Sequence, residues 1–93
     1  MDGDKNLGLS DQEISRCFSD PAIAGKFPPI MTITQAAELL VVPLGTVRDW
    51  RSRGLLSNCS RRVGREVRFF RDRLIAQIFN DGLGQLNDGE HAQ

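Results

Sequence analysis

Across residues 31–80 the apolar positions keep helical spacing twice, change to alternation, and then return to helical spacing. The first stripe is Ile33, Ala36, Ala37 and Leu40, with Ala37 small enough to admit a neighbouring helix. Thr32 and Gln35 stand at its head with the spacing of a capping box, so the pattern predicts a helix from Ile33 to about Leu40. Val41-Val42-Pro43 breaks it, because proline brings no amide to the helical ladder, and Pro43 can open the next helix at its first position. That next helix runs from about Leu44 to Arg53, with Leu44, Val47 and Trp50 inward, and Gly54 stops it in a left-handed cap. The spacing of Trp50 from Val47 makes it a core residue rather than a base-stacking one.

Beyond Gly54 the period shortens. Ser57 to Val63 and Val67 to Phe69, separated by a turn at Gly64, read as a β-hairpin with Arg65 at its tip. A two-residue loop would suit Gly64 in a type II′ turn. A three-residue loop would put Val63, Val67 and Phe69 on one face and Arg62 with Arg68 on the other; we favour it because one-sided burial fixes register. Arg71 to about Asn80 forms a last helix burying Leu74, Ile75, Ile78 and Phe79 and ending near Gly82. Phe69 and Phe70 are further core candidates.

Upstream, the first nine residues read as disordered. Ser10 and Glu13 make another capping box, and a short helix from about Asp11 to Ser19 buries Ile14, Cys17 and Phe18. Asp20-Pro21 ends it, and a proline-containing connector leads to Pro28-Pro29. The organisation is therefore an N-terminal extension over 1–30, a compact module over 31–80 and a polar acidic tail over 81–93. The fold class is mainly α with a small β-hairpin, a winged helix-turn-helix with an extra N-terminal helix.

Charge changes the picture. The formal net charge of the 93-residue chain is zero. Residues 31–80, however, hold nine arginines against four carboxylates, a net +5 with no lysine, between ends of −2 (1–30) and −3 (81–93). Arginine is the cation suited to forked contacts with phosphate or base edges. The longest apolar run, Leu39 to Val42, is far short of the roughly 20 residues that span a bilayer, which points to a soluble, cytoplasmic chain. Cys17 and Cys59 read as reduced filler residues, and His91 stands alone in the tail, so no metal set can be assembled. No nucleophile–base pair, phosphate loop or cofactor motif is present, and we expect no enzyme and no cofactor.

Three blocks carry a family likeness: Met31-Thr32-Ile33-Thr34-Gln35-Ala36-Ala37-Glu38-Leu39-Leu40, Thr46-Val47-Arg48-Asp49-Trp50, and Arg62-Val63-Gly64-Arg65-Glu66-Val67-Arg68-Phe69. In this order and spacing they resemble the excisionase-type branch of MerR-like DNA-binding domains, over about residues 31–80. The family usually has glycine where Val41 stands and often serine where Pro43 stands. A β-branched valine resists positive φ, so a differently shaped turn is expected, and Pro43 removes a capping hydroxyl and an amide that could bind phosphate. The resemblance implies a prokaryotic, phage or plasmid protein that lays its second helix in a major groove with the wing beside it. Family members that sense metals or drugs dimerise through a long C-terminal helix. Thirteen residues after Asn80 leave no room for one, so the likeness is to excisionases and small transcriptional regulators without an effector.

The expected partner is double-stranded DNA, joined by a recombinase or by further copies of the chain as a dimer or cooperative array. On the second helix Gly45, Arg48, Asp49 and Ser52 face outward, with Thr46 in its first turn. At Arg48 the resemblance implies an arginine bound to the DNA backbone. Asp49 has two open roles, accepting from a cytosine amino group or pairing with Arg53. Arg51 either reaches DNA or covers Trp50 with its stem. Thr34 can reach a phosphate from the first helix. Arg62, Arg65 and Arg68 can follow a phosphate ridge or enter the minor groove, where the alternative is a solvated strand edge. Arg71 and Arg73 flank the start of the last helix. The competing reading is a winged-helix adaptor that binds protein and not DNA.

Overall fold

The computed structural model describes residues 6–83. Helix α1 spans Asp11–Arg16 and begins on the expected capping box. The Glu13 amide donates to the Ser10 hydroxyl at 3.0 Å, and the Ser10 amide donates to the Glu13 carboxylate at 2.9 Å. It is shorter than expected, and only Ile14 and Phe18, one turn apart, reach the core. Cys17 is exposed instead of buried, its thiol donating back to the Glu13 carbonyl. Asp20-Pro21 does more than end α1. Asp20 accepts from the Ala22 amide at 2.8 Å and proline occupies the first turn, where its missing amide costs nothing, so the expected connector contains helix α2, Pro21–Lys26.

After Pro28-Pro29 comes β1, Ile30–Met31, a strand that the hydrophobic pattern does not announce. Helix α3, Ile33–Leu40, carries the Thr32–Gln35 capping box in full. The next residue, Val41, stands at φ 58°, ψ 47°, the only non-glycine residue with positive φ among those described. The Val41 amide donates to Glu38 and the Val42 amide to Ala37, the paired bonds of a Schellman stop. The expectation of a differently shaped turn is thus corrected: the left-handed turn is kept and the valine bears its strain. That strain is of order 1–2 kcal/mol. Because the Val41 side chain is 87% exposed and packs little, Val41→Gly is expected to raise the unfolding free energy by about 1 kcal/mol, read from the urea midpoint.

Helix α4 spans Leu44–Ser52. Pro43 is its N-cap and not its first helical residue, and it supplies no side-chain cap. Gly54 closes α4 at φ 81°, with a second pair of stop bonds from Gly54 to Arg51 and from Leu55 to Trp50. Strands β2, Ser60–Val63, and β3, Glu66–Phe70, pair with Val63 opposite Glu66 and Arg61 opposite Arg68. The loop is therefore the two-residue Gly64-Arg65, with Gly64 at φ 67°, and not the three-residue loop. Burial does not choose the register here, because β2 is exposed on nearly every side chain and turn chemistry decides instead. One result is that Arg62 lies opposite Val67, on the other face of the ribbon from Arg68. The sheet has three antiparallel strands in the order β1-β3-β2.

Helix α5, Arg71–Ala76, continues into a π-helical turn, Gln77–Asp81. Widening the last turn rotates its side chains, leaving Ile78 half-buried and Phe79 41% exposed rather than in the core. It also sets Asn80 against the start of the chain. The Asn80 side chain accepts from the Leu9 amide at 2.8 Å and donates to the Leu9 carbonyl at 3.0 Å, while Leu7 donates to the Phe79 carbonyl. The expected disorder of the first nine residues is corrected for 6–9; of the polar tail expected over 81–93, Asp81 belongs to the π-helical turn, and residues 1–5 and 84–93 lie outside the described residues. Asn80→Ala should free residues 6–9 and cost about 1–2 kcal/mol, seen as lost exchange protection at the Leu7 and Leu9 amides.

One core joins these elements: Ile14 and Phe18, Phe27, Met31, Ala36 and Ala37, Val47, Leu56 and Cys59, Phe69, Leu74 and Ile75, with Trp50 packed against its rim. The N-terminal segment joins that core through Ile14 of α1 and through Phe18 and Phe27, which follow α1 and α2. No helix among the described residues is long and apolar enough to cross a membrane.

Candidate nucleic-acid interface

The start of α3, the outward face of α4 and the β3 side of the hairpin enclose one groove. Thr34, Arg48, Arg51, Ser52, Arg65 and Arg68 all line it, with Thr32, Ile33, Glu66 and Val67 between them. The capping box positions Thr34 on the exposed first turn of α3, and the left-handed turn at Val41 sets α4 against it. Arg48, Arg51 and Ser52 then fall at i, i+3 and i+4 on one α4 face. Arg65 comes from the tip of the two-residue loop.

Electrostatically the groove is basic and lightly compensated. The ion pairs among the described residues join Arg53 to Asp49 at 3.1 Å, Arg68 to Glu66 at 3.8 Å and Arg71 to Asp72 at 2.8 Å. None of these pairs neutralises Arg48, Arg51 or Arg65. The Arg51 Nε is enclosed and has no hydrogen-bond partner among the described residues, so a donor stands unused in the groove wall.

Other expected residues fall elsewhere. Gly45, exposed in the first turn of α4, and half-buried Thr46 sit beside the groove rather than in its lining. An added Cβ at Gly45 would meet nothing within 4 Å, so that turn presents bare backbone to solvent. Of the two roles left open for Asp49, the structure takes the i,i+4 pair with Arg53. Arg62, exposed on β2 opposite Val67, is not among the residues that line the groove. Arg71 is buried: its Nη1 donates to the Phe27 carbonyl at 2.9 Å and its guanidinium lies 3.8 Å from the Phe18 ring centroid. Arg73 donates weakly to the Asn58 carbonyl and borders a second cleft on the outer side of the sheet. The groove also holds Thr32, Ile33, Glu66 and Val67, which the sequence reading does not place at the DNA contact. Thr32 already had a full account as a cap, and nothing in the pattern marks Glu66 as a groove residue.

Among the described residues, no three His, Cys, Asp or Glu side chains converge as a metal set. Both cysteines are free. Burial pushes the Cys59 thiol from about 9 up to about 11, against a smaller opposing pull from Arg73. Its proton is therefore held in the native state at pH 9–11, where the unfolded chain releases it. That contribution to stability is complete below pH 9 and is lost as pH rises towards 11. At pH 8 iodoacetamide is expected to modify exposed Cys17 in the native protein and leave Cys59 intact, as read by peptide mass.

A family model described as a helix-turn-helix domain matches residues 30–76, from β1 to the end of α5 and about half of the chain. Comparison with curated proteins and with solved structures finds no match.

Proposed function

The chain belongs to the helix-turn-helix domain family, and from that premise we propose that it binds double-stranded DNA with sequence preference and acts by binding, without catalysis. The observation that carries this reading is the groove in which Arg48, Arg51 and Arg65 converge from α4 and the hairpin, with Glu66 its one carboxylate. Residues 31–80 are the DNA-binding module, buttressed by the N-terminal helices.

In this account α4 enters the major groove. Arg48 holds a backbone phosphate or forks onto guanine, and the Arg51 guanidinium reaches the DNA beside it through its terminal nitrogens. Ser52 and Thr34, with Thr46 and the bare backbone at Gly45, take shorter-range polar contacts. Arg65 at the hairpin tip, with Arg62 and Arg68 behind it, meets the adjacent backbone or minor groove. The Glu66 pair partly restrains Arg68, and Asp49 reads a base only by leaving Arg53. One module of this size reads few base pairs, so a second copy, a cooperative array or a DNA-bound recombinase supplies the remaining specificity. The protein serves as a small transcriptional regulator or as an excisionase-like accessory factor that bends DNA for recombination.

Selection from a pool of randomised duplexes tests the sequence preference. A short enriched motif, blunted by Ser52→Ala and Arg48→Gln, is the expected outcome. No enrichment, together with no binding at low salt, would favour the protein-binding adaptor.

A further inference from the structure

We propose that the outer face of the sheet and the open edge of β2 form a docking site for an extended acidic–apolar segment of a partner protein. Ile30, Val63 and Phe70 are each more than half exposed, at 56%, 59% and 51%. Strand register puts them on one face: Ile30 lies opposite Phe70, while Val63, two residues from Arg61, shares the side of the Arg61–Arg68 pair. These side chains line one cleft together with Arg61, Arg68 and Arg73. The cleft shares Arg68 with the DNA groove, but its other lining residues are distinct, and the groove takes none of its lining from β2.

Charge and shape select the occupant. A second copy pairing face to face would stack Arg61, Arg68 and Arg73 against their own kind, which like-charge repulsion disfavours. A phosphate backbone would satisfy the arginines and leave three large apolar side chains wet. An acidic, partly apolar polypeptide covers both. The edge supplies the mode of binding. β2 is the outer strand of the sheet, and the antiparallel ladder turns the backbone groups of Ser60 and Arg62 away from β3. A strand added there presents alternate side chains to the outer face, an acid near Arg61 and an apolar residue near Val63.

The test uses the full chain and a fluorescein-labelled decapeptide with threonine at alternate positions and leucine and aspartate by turns between them. Saturable binding is expected, with new exchange protection at the Ser60 and Arg62 amides. Arg61→Glu and Phe70→Ser should each weaken it about tenfold, with circular dichroism confirming that both variants fold. Absence of saturation up to about 1 mM peptide would overturn the proposal. Equal binding of a scrambled peptide, or of one with lysine for aspartate, would do the same. A duplex that protects these same amides would assign the face to DNA. Self-association of the full chain that is lost on truncation after Leu83, with these amides protected only in the associated state, would assign it to a second copy. Either result contradicts a foreign protein as the occupant.

Discussion

Arg71→Ala is expected to lower the unfolding free energy by about 3 kcal/mol, a large share of the roughly 5–15 kcal/mol typical of a domain. Arg71 is 9% exposed and does three jobs at once. It donates to the Phe27 carbonyl, pairs with Asp72 and lies over the Phe18 ring. Removing it strands a buried carbonyl and strips the cation from an aromatic face. Because Phe18 and Phe27 follow directly on α1 and α2, the loss falls on the joint between the N-terminal segment and the rest of the core. Arg71→Met, which keeps much of the stem, should cost less. Urea unfolding measures both. In the folded Arg71→Met protein DNA affinity should stay within about twofold of the parent, since a buried guanidinium makes no phosphate contact. A stable Arg71→Ala protein with weakened DNA binding would reverse the assignment.

The second large effect is on binding. Replacing Arg48 and Arg65 together with glutamine should weaken DNA affinity about 10- to 100-fold at low salt, at roughly 1 kcal/mol or more per phosphate contact. Both residues are exposed, and no ion pair among those described engages them, so unfolding free energy should move by less than about 0.5 kcal/mol. Arg53→Gln makes the contrast. That guanidinium is already held by Asp49 on the surface, and its loss should change affinity little. Fluorescence anisotropy on one labelled duplex compares all three proteins.

How far the sequence foretold this depends on which local signals stood alone. Capping boxes at Ser10 and Thr32 and the stop at Gly54 did, because each is settled within a few residues by hydrogen bonds the chain makes to itself. The helix-turn-helix part of the family likeness agrees with the family match over residues 30–76. Misreadings arose where tertiary contacts or weak patterns decide. Two residues of β1 carry no periodicity, and they become a strand only because Phe69 and Phe70 offer an edge. One-sided burial favours a three-residue hairpin loop, but both faces of β2 meet solvent and Gly64 sets the register. At Asp20-Pro21 a stop signal for one helix was also the start of the next. Val41 adopts the left-handed conformation that its β-branched side chain resists, so the residue type there misleads about the turn.

For the candidate site, helical spacing was enough to bring Arg48, Arg51 and Ser52 to one face, and the turn was enough to put Arg65 at the tip. Spacing could not tell a surface arginine from a buried one. Arg71 differs from Arg73 only in what the N-terminal helices bring against it, and that contact spans 44 residues of sequence.

The most direct test of the central claim is the salt dependence of DNA binding by the unmodified protein, measured from about 50 to 200 mM. Release of counterions by four or five arginines of α4 and the hairpin predicts log Kobs falling against log salt with a slope near −4, and a slope shallower by about two when Arg48 and Arg65 are glutamine. A folded protein whose binding is flat with salt, or absent at the lowest salt, would contradict the account.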